Sequence, residues 1–465
     1  MASSRIRSLA AVAGRVLPEI RKPIRKVSFT EKMFWTAFIV LLYLIMSEIP
    51  LYGVAGGQTD PFALLRVIFA SRRGTLMELG IGPIVTAGLV LQLLKGSKML
   101  NIDTSKPEDR KLYSSLNKLL AIGFTGFEAA AFIIGGAYGL ITEEVAILIF
   151  GQLLAVGVMV ILMDELIQKG WGFGSGISLF IAAGVAQTIF WRSLSPIPAQ
   201  DGLFVGALLA LSQAVSSNTI TSVLFRPAGL PTLIGFASTI AIFTVIVYLE
   251  GMRVEIPVAH AKFRGFRGTY PVKLFYVSNI PVILASALFA DVYFASSLMW
   301  NRAADTPLAA FLGSFDVDGN PISGLTYYLT PPRSIQGVAA DPLRAGVYLI
   351  LFVAVCIGFA WTWVSIAGLS ASNVAKQLID AGMQVPGFRR SESSIRDVLN
   401  RYIPAVTIIG GALVGLIAAV ADFFSSFGTG TGILLMTSII WQYYQLLAKE
   451  RIEEMYPGLG KLLGR

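Results

Sequence analysis

Ten apolar runs alternate with polar segments along the chain: Met33 to Ile49, Leu76 to Leu94, Leu119 to Leu140, Val145 to Ile167, Gly174 to Phe190, Leu233 to Leu249, Phe275 to Phe294, Ala345 to Ile366, Ile403 to Ala421 and Gly430 to Leu447. Helices of about 17 to 25 apolar residues cross a hydrocarbon core. The pattern therefore predicts an all-α polytopic membrane protein with ten transmembrane helices. Two apolar stretches are shorter, Pro61 to Ala70 with Arg66 inside it and Leu203 to Val215, and suit re-entrant, interfacial or protein-buried segments. Ahead of the first run, Ile6, Leu9, Ala13, Val16 and Leu17 share one helical face, with Arg5, Arg7 and Arg15 off it. That periodicity predicts a surface-lying amphipathic helix stopped by Pro18. The basic segment before the first run and the lack of a small-residue cleavage pattern after it argue against a signal peptide.

Charge placement orients the spans. With ten spans and a cytoplasmic N-terminus, 29 of the 37 Lys and Arg residues fall on the cytoplasmic side. An eleventh span at Leu203 to Val215 would move 14 of these outside, against the positive-inside bias. Both termini are thus expected in the cytoplasm, with residues 1–32 a cytoplasmic N-terminal segment and 448–465 a cytoplasmic tail. An even span count divides as five plus five, the second half entering from the opposite face, which is the arithmetic of an inverted repeat. The halves are read as 33–190 and 233–447, joined by an external hinge at 191–232 rich in Pro, Ser and Gly.

Composition agrees: the chain is 55% hydrophobic and 14% charged, against about 25% charged in soluble domains. One histidine, His260, and one cysteine, Cys356, exclude Cys/His zinc clusters, an internal disulfide and any thiol pair. No GxxxxGK[ST], HExxH or GxSxG context is present, so neither an enzyme nor a cofactor or metal site is expected.

Six stretches resemble the SecY family of protein-translocating channels, in the family's order and in wording closest to its archaeal members. They are IPLYG (Ile49 to Gly53), ASRRGTLMELGIGPIVTAG (Ala70 to Gly88), GFGSGISLFIAAGVAQTIF (Gly172 to Phe190), MRVEIP (Met252 to Pro257), YPVKLFYVSNIPVIL (Tyr270 to Leu284) and GTGTGILL (Gly428 to Leu435). The resemblance implies a clamshell of two five-span halves around an hourglass pore, closed by a short plug and opening sideways through a lateral gate. It implies small SecE/gamma-type and beta-type partner subunits, a ribosome bound through rRNA, and a nascent polypeptide with its signal sequence as cargo. Membrane lipid receives the transmembrane segments released through the gate. The membrane would be the cell membrane, or alternatively that of the endoplasmic reticulum. With no nucleotide site in the chain, the driving energy must come from a translating ribosome or a separate motor.

Residue by residue, the resemblance puts Phe62, Leu65, Arg66, Ile68 and Phe69 in the plug, jointed to the second span at Gly74. It puts Ile81, Val85, Ile177, Ile181, Ile283 and Leu435 in a pore ring. A ring of aliphatic side chains makes a dewetted neck that blocks ions yet yields to a polypeptide. Ile81/Val85 and Ile177/Ile181 are each spaced i, i+4, on one helix face. Thr86, Gln92, Glu128 and Asp291 fall at the family's lateral gate, where eukaryotic members tend to carry neutral amides at the last two. On the two long cytoplasmic loops, Lys262, Arg264 and Arg267 interleave with Phe263 and Phe266, while Arg389 and Arg390 follow a turn at Pro386 and Gly387. Cations among aromatics suit rRNA phosphates, and Arg264 and Arg390 resemble the family's ribosome-contacting arginines. From the residues alone, all these carry plainer readings: lipid-facing or packing aliphatics, locally paired carboxylates, solvated basic loops. A secondary transporter also uses five-span inverted repeats, but here the Gly-rich breaks adjoin Ile, Val and Leu, which bind polar solutes poorly. A pore-free scaffold fits badly with the long basic loops.

Overall fold

The computed structural model describes residues 18–54, 66, 70–96, 99–100, 102, 106–135, 138–139, 141–226, 229–260, 267–277, 280–303, 306–316, 319–332, 334–380, 383–384 and 392–455. The predicted amphipathic helix of residues 5–17 lies outside them. Eight helices among the described residues are long and apolar enough to cross a membrane. These are α1 (Phe29–Glu48), α3 (Pro107–Ile134), α4 (Glu143–Leu166), α5 (Gly176–Leu194), α8 (Leu233–Gly251), α9 (Ile280–Ala303), α13 (Pro342–Ile366) and α15 (Glu392–Phe423). The other two predicted spans correspond to α2 (Gly82–Gly96), which is short, and α16 (Gly430–Met455), whose last turns are charged.

Helix limits differ from the apolar runs where backbone chemistry overrides hydropathy. Ser28 and Glu31 form a reciprocal capping box, so α1 starts four residues before the run. Pro107 opens α3 twelve residues before Leu119, because polar turns continue a helix beyond the hydrocarbon. Thr75 bridges to Pro50 and residues 76–81 are turns and bends rather than helix, with Gly80 at φ 56°, and α2 begins only at Gly82. Leu203 to Val215, read as too short to span, overlaps α6 (Ala207–Ser216), followed by α7 (Ile220–Leu224).

The chain divides into two compact units, residues 1–187 with 439–465, and residues 188–438. In the first, Leu51, Leu79, Ala129, Tyr138, Ile149 and Leu153 are buried together. In the second, α13 and α15 pack through small residues. A Cβ on Gly411 would meet the Ala360 Cβ at 2.9 Å, and one on Gly415 the Val353 Cα at 3.1 Å. Glycines four apart let two membrane helices approach backbone to backbone.

The segments between spans are partly extended. β1 (Arg253–His260) pairs antiparallel with β2 (Arg267–Lys273), and β5 (Met383–Gln384) adds to the far end of β1 through Ala259↔Gln384 and His260↔Met383. Ile256 and Val272 are buried with Val374 and Leu378 of α14 (Ala371–Asp380) and with Ile395 and Leu399. Between α9 and α13 stand α10 (Pro307–Leu312), the two-stranded β3 (Ser314–Phe315) and β4 (Pro321–Ser323), α11 (Leu325–Leu329) and α12 (Ile335–Ala340).

Candidate functional site

In the first unit, the segment that leaves α1 and returns to α2 is pinned at both ends. Leu51 N–H donates to the Gly74 carbonyl at 2.8 Å, and Leu76 N–H to the Ile49 carbonyl at 2.9 Å. Gly74 sits at φ 69°, a left-handed backbone that favours glycine, and its N–H donates to Glu78. Among the five plug residues, Arg66 is described and Phe62, Leu65, Ile68 and Phe69 lie outside the described residues. The Arg66 guanidinium donates to the Glu78 carboxylate at 2.7 Å and to the Glu78 carbonyl at 3.3 Å. Both side chains are nearly sealed from solvent, at 10% and 1% exposure. Beyond Arg66, Tyr43 O–H donates to the Ala70 carbonyl at 3.0 Å and stacks on Phe180 of α5. Ala70 itself is buried at φ 49°, a strained conformation for a residue with a Cβ.

Ile81 follows Glu78 by three residues and is fully buried. It precedes the first residue of α2, yet its carbonyl accepts the Val85 N–H at 3.0 Å, so the pair does share the start of one helical turn. Val85 and Ile177 are half-buried and Ile181 is buried. The break before α5 aims Ile177 and Ile181. Helix α4 runs into a wide turn, Ile167–Trp171, in which Gly170 takes φ 101°. Asp164 then caps α5 from outside its own turn, accepting Ile177 N–H at 3.1 Å and Ser175 O–H at 3.2 Å. Tyr443 of α16 accepts Ser175 N–H at 3.0 Å. A Cβ on Gly176 would lie 2.7 Å from the Asp164 Cα, so only glycine allows this approach. In the second unit, Ile283 is half-buried on α9 and Leu435 is buried on α16.

Of the lateral-gate residues, Thr86 and Gln92 lie on α2 and Glu128 on α3, all half-buried, while Asp291 is exposed on α9. The Gln92 Oε1 and Asn117 Oδ1 atoms are buried without a hydrogen-bond partner among the described residues. Of the docking residues, Arg267 opens β2, and Lys262, Arg264, Arg389 and Arg390 lie outside the described residues. The loop read over Arg253 to Lys273 is a hairpin, tied to the second basic loop by β5. The alternation of Val254, Ile256 and Val258 in RVEIPVAH was the signal for that strand. Sequence reasoning also passed over Glu78, Asn117 and Asp164. A lone carboxylate at the mouth of an apolar run, opposite a lone arginine in the run before it, was the available sign for Glu78.

Residues 75–444 match the SecY family and residues 41–74 match the plug domain of Sec61p. The chain is 44% identical to the protein translocase subunit SecY of Pyrococcus furiosus, over 97% of each chain. A solved protein-conducting channel superposes with a TM-score of 0.81 at 38% identity, covering 97% of this chain and 99% of that one. Sec61 in a canine ribosome-channel complex from the endoplasmic reticulum superposes at 0.79 with 37% identity, over the same shares. A plug-domain match that ends at the Gly74 joint, followed by a channel match that includes every proposed ring residue, leaves one conclusion: the chain belongs to the SecY family of protein translocation channels.

Proposed function

We propose that the chain is the pore-forming subunit of a protein-conducting channel, passing secretory polypeptides across the membrane and releasing transmembrane segments into lipid. The observation that carries this reading is the pinned segment between α1 and α2, whose Arg66 is buried against Glu78 three residues before the buried Ile81. Among the described residues this segment is held at its two ends, by the Arg66–Glu78 pair and by the Tyr43 hydrogen bond to Ala70, and in this reading it is displaced by releasing those contacts while α1 and α2 stay folded. Ile81, Val85, Ile177, Ile181, Ile283 and Leu435 form the neck in this reading, and Thr86, Gln92, Glu128 and Asp291 border the sideways exit. The chain is a channel, and the work of translocation is done by what it binds.

Lys262, Arg264, Arg267, Arg389 and Arg390 are proposed to hold ribosomal RNA phosphates. Support comes from the β1–β5 pairing, which fastens the two basic segments to each other, and from the ribosome-bound state of the canine relative. Small SecE/gamma-type and beta-type subunits complete the assembly. The proposed site is the cell membrane, with both termini cytoplasmic, from the placement of Lys and Arg.

The experiment is planar-bilayer recording on the chain reconstituted with its small subunits. Ile81→Ser/Ile181→Ser puts hydroxyls in the neck, favours a water column and is expected to raise ion leak. Val247→Ser, at an exposed position on α8, is expected to leave conductance unchanged. A double mutant as tight as the parent, folded and still able to dock ribosomes, removes these residues from the neck.

A further inference from the structure

Among the described residues between α9 and α13, three large apolar side chains are more than half exposed: Leu308 at 57%, Phe311 at 66% and Ile322 at 60%. Leu308 and Phe311 are spaced i, i+3 on one face of α10, whose Ala309 is fully buried on another. Ile322 lies on β4, held to β3 by backbone pairing and by the Ser314 and Ser323 hydroxyls at 2.6 Å.

The hydrogen bonds fix the level of this segment along α9. Thr326 O–H lies 2.8 Å from the Ser296 hydroxyl and 2.7 Å from the Leu312 carbonyl, so the end of α10 is tied level with Ser296. Tyr293 donates to the Gly319 carbonyl and packs edge-on against Phe315 at 5.4 Å. Beyond Ser296 the sequence of α9 stays apolar through Leu298, Met299 and Trp300 and meets its next charge at Arg302, and Tyr293 lies about 14 Å before that charge at 1.5 Å per residue. Arg344, in the first turn of α13, lies 4.0 Å from the Tyr327 ring centroid and donates to the Tyr327 and Thr330 carbonyls at 3.0 and 3.2 Å. Arginine and tyrosine together at a span's end mark the headgroup layer. On the same helix, Leu343 and Ile350 are 65% and 66% exposed, two turns apart on one face, as lipid-facing positions are.

From this we propose that Leu308, Phe311 and Ile322 form a lipid-binding surface, inserted among the acyl chains just beneath the headgroups of the leaflet where α9 ends and α13 begins. Facing water, such a patch would be disfavoured in proportion to its apolar area. Inserted, it braces the end of α9 against the bilayer. The proposal needs only that α9 and α13 cross the membrane and is independent of the neck and plug assignments.

The test uses site-directed spin labels. Cys356 is the sole cysteine and is buried, so the parent chain supplies the unlabelled baseline. Full-length Leu308→Cys, Phe311→Cys and Ile322→Cys are labelled in phosphatidylcholine/phosphatidylglycerol liposomes, with Ile350→Cys as the lipid reference and Gln377→Cys, exposed on α14, as the aqueous one. Collision rates with oxygen and with a water-soluble nickel chelate are compared. The expected result is a positive depth parameter at all three positions, shallower than Ile350 and of opposite sign to Gln377. Nickel accessibility matching Gln377, as for a surface that meets water or a passing polypeptide, overturns the proposal. So does exclusion of both reagents, which would mean burial against protein.

Discussion

Arg66 and Glu78 join the plug to the mouth of α2 through an ion pair in which both side chains are nearly sealed from water. A buried ion pair adds little net stability when intact, because desolvation offsets attraction, but removing one partner strands a charge at a cost of about 3–5 kcal/mol. In the proposed channel that cost falls on the arrangement in which Arg66 meets Glu78. Arg66→Met or Glu78→Gln is expected to favour plug displacement by roughly a hundredfold, the equivalent of about 3 kcal/mol. Single-channel recording should show frequent openings in each single variant, and the swap Arg66→Glu/Glu78→Arg should restore much of the seal. Silent single variants would show that the pair does not hold the plug.

Asp164 reaches across a Gly-rich break to cap a helix that is not its own. Asp164→Ala removes the acceptor for the Ile177 N–H and should cost about 1–2 kcal/mol, the usual value of a helix cap. Asp164→Asn keeps an oxygen in place and should cost less. Amide hydrogen exchange at Ile177 and its neighbours reads the effect directly: faster in the alanine variant, near parental in the asparagine one.

Arg226 ties Asp201, Phe204, Val205 and Pro231 together. Its guanidinium, with no exposed surface, pairs with Asp201 through two hydrogen bonds of 2.8 and 3.0 Å and also donates to the carbonyls of Phe204, Val205 and Pro231. The arginine holds the Asp201 carboxyl below the ordinary aspartate value of 3.8. A carboxyl depressed on folding contributes stability above its unfolded pKa and loses it as pH falls through the lowered folded value. Thermal melts should therefore show this segment weakening below about pH 4, and Asp201→Asn should flatten that acid limb while lowering stability at pH 7.

Charge reversal tests the docking residues. Arg264→Glu and Arg390→Glu should each weaken ribosome binding and lower the slope of log affinity against log salt by about one for each phosphate no longer neutralised. Cosedimentation across a salt series measures both. Unchanged affinity in the singles and the double would leave the loops as solvated, positive-inside segments.

What the sequence determined by itself follows from rules that act locally. Hydrocarbon thickness sets the length of an apolar run, so each of the ten runs located a helix, though Pro107 and the Ser28 capping box moved the ends. Charge asymmetry across the runs predicted an orientation, and resemblance picked out candidate residues that periodicity alone would have called lipid-facing. Tertiary structure decided what depends on residues distant in the chain. Whether Arg66 is a solvated loop charge or a buried latch turns on Glu78, twelve positions on. Whether Gly176 is a spacer or a point of close approach turns on Asp164. The two basic loops share one sheet because β5, more than a hundred residues after β1, pairs with it. A buried polar group is stable only with its partner in place, and nothing local in the sequence records where that partner will be.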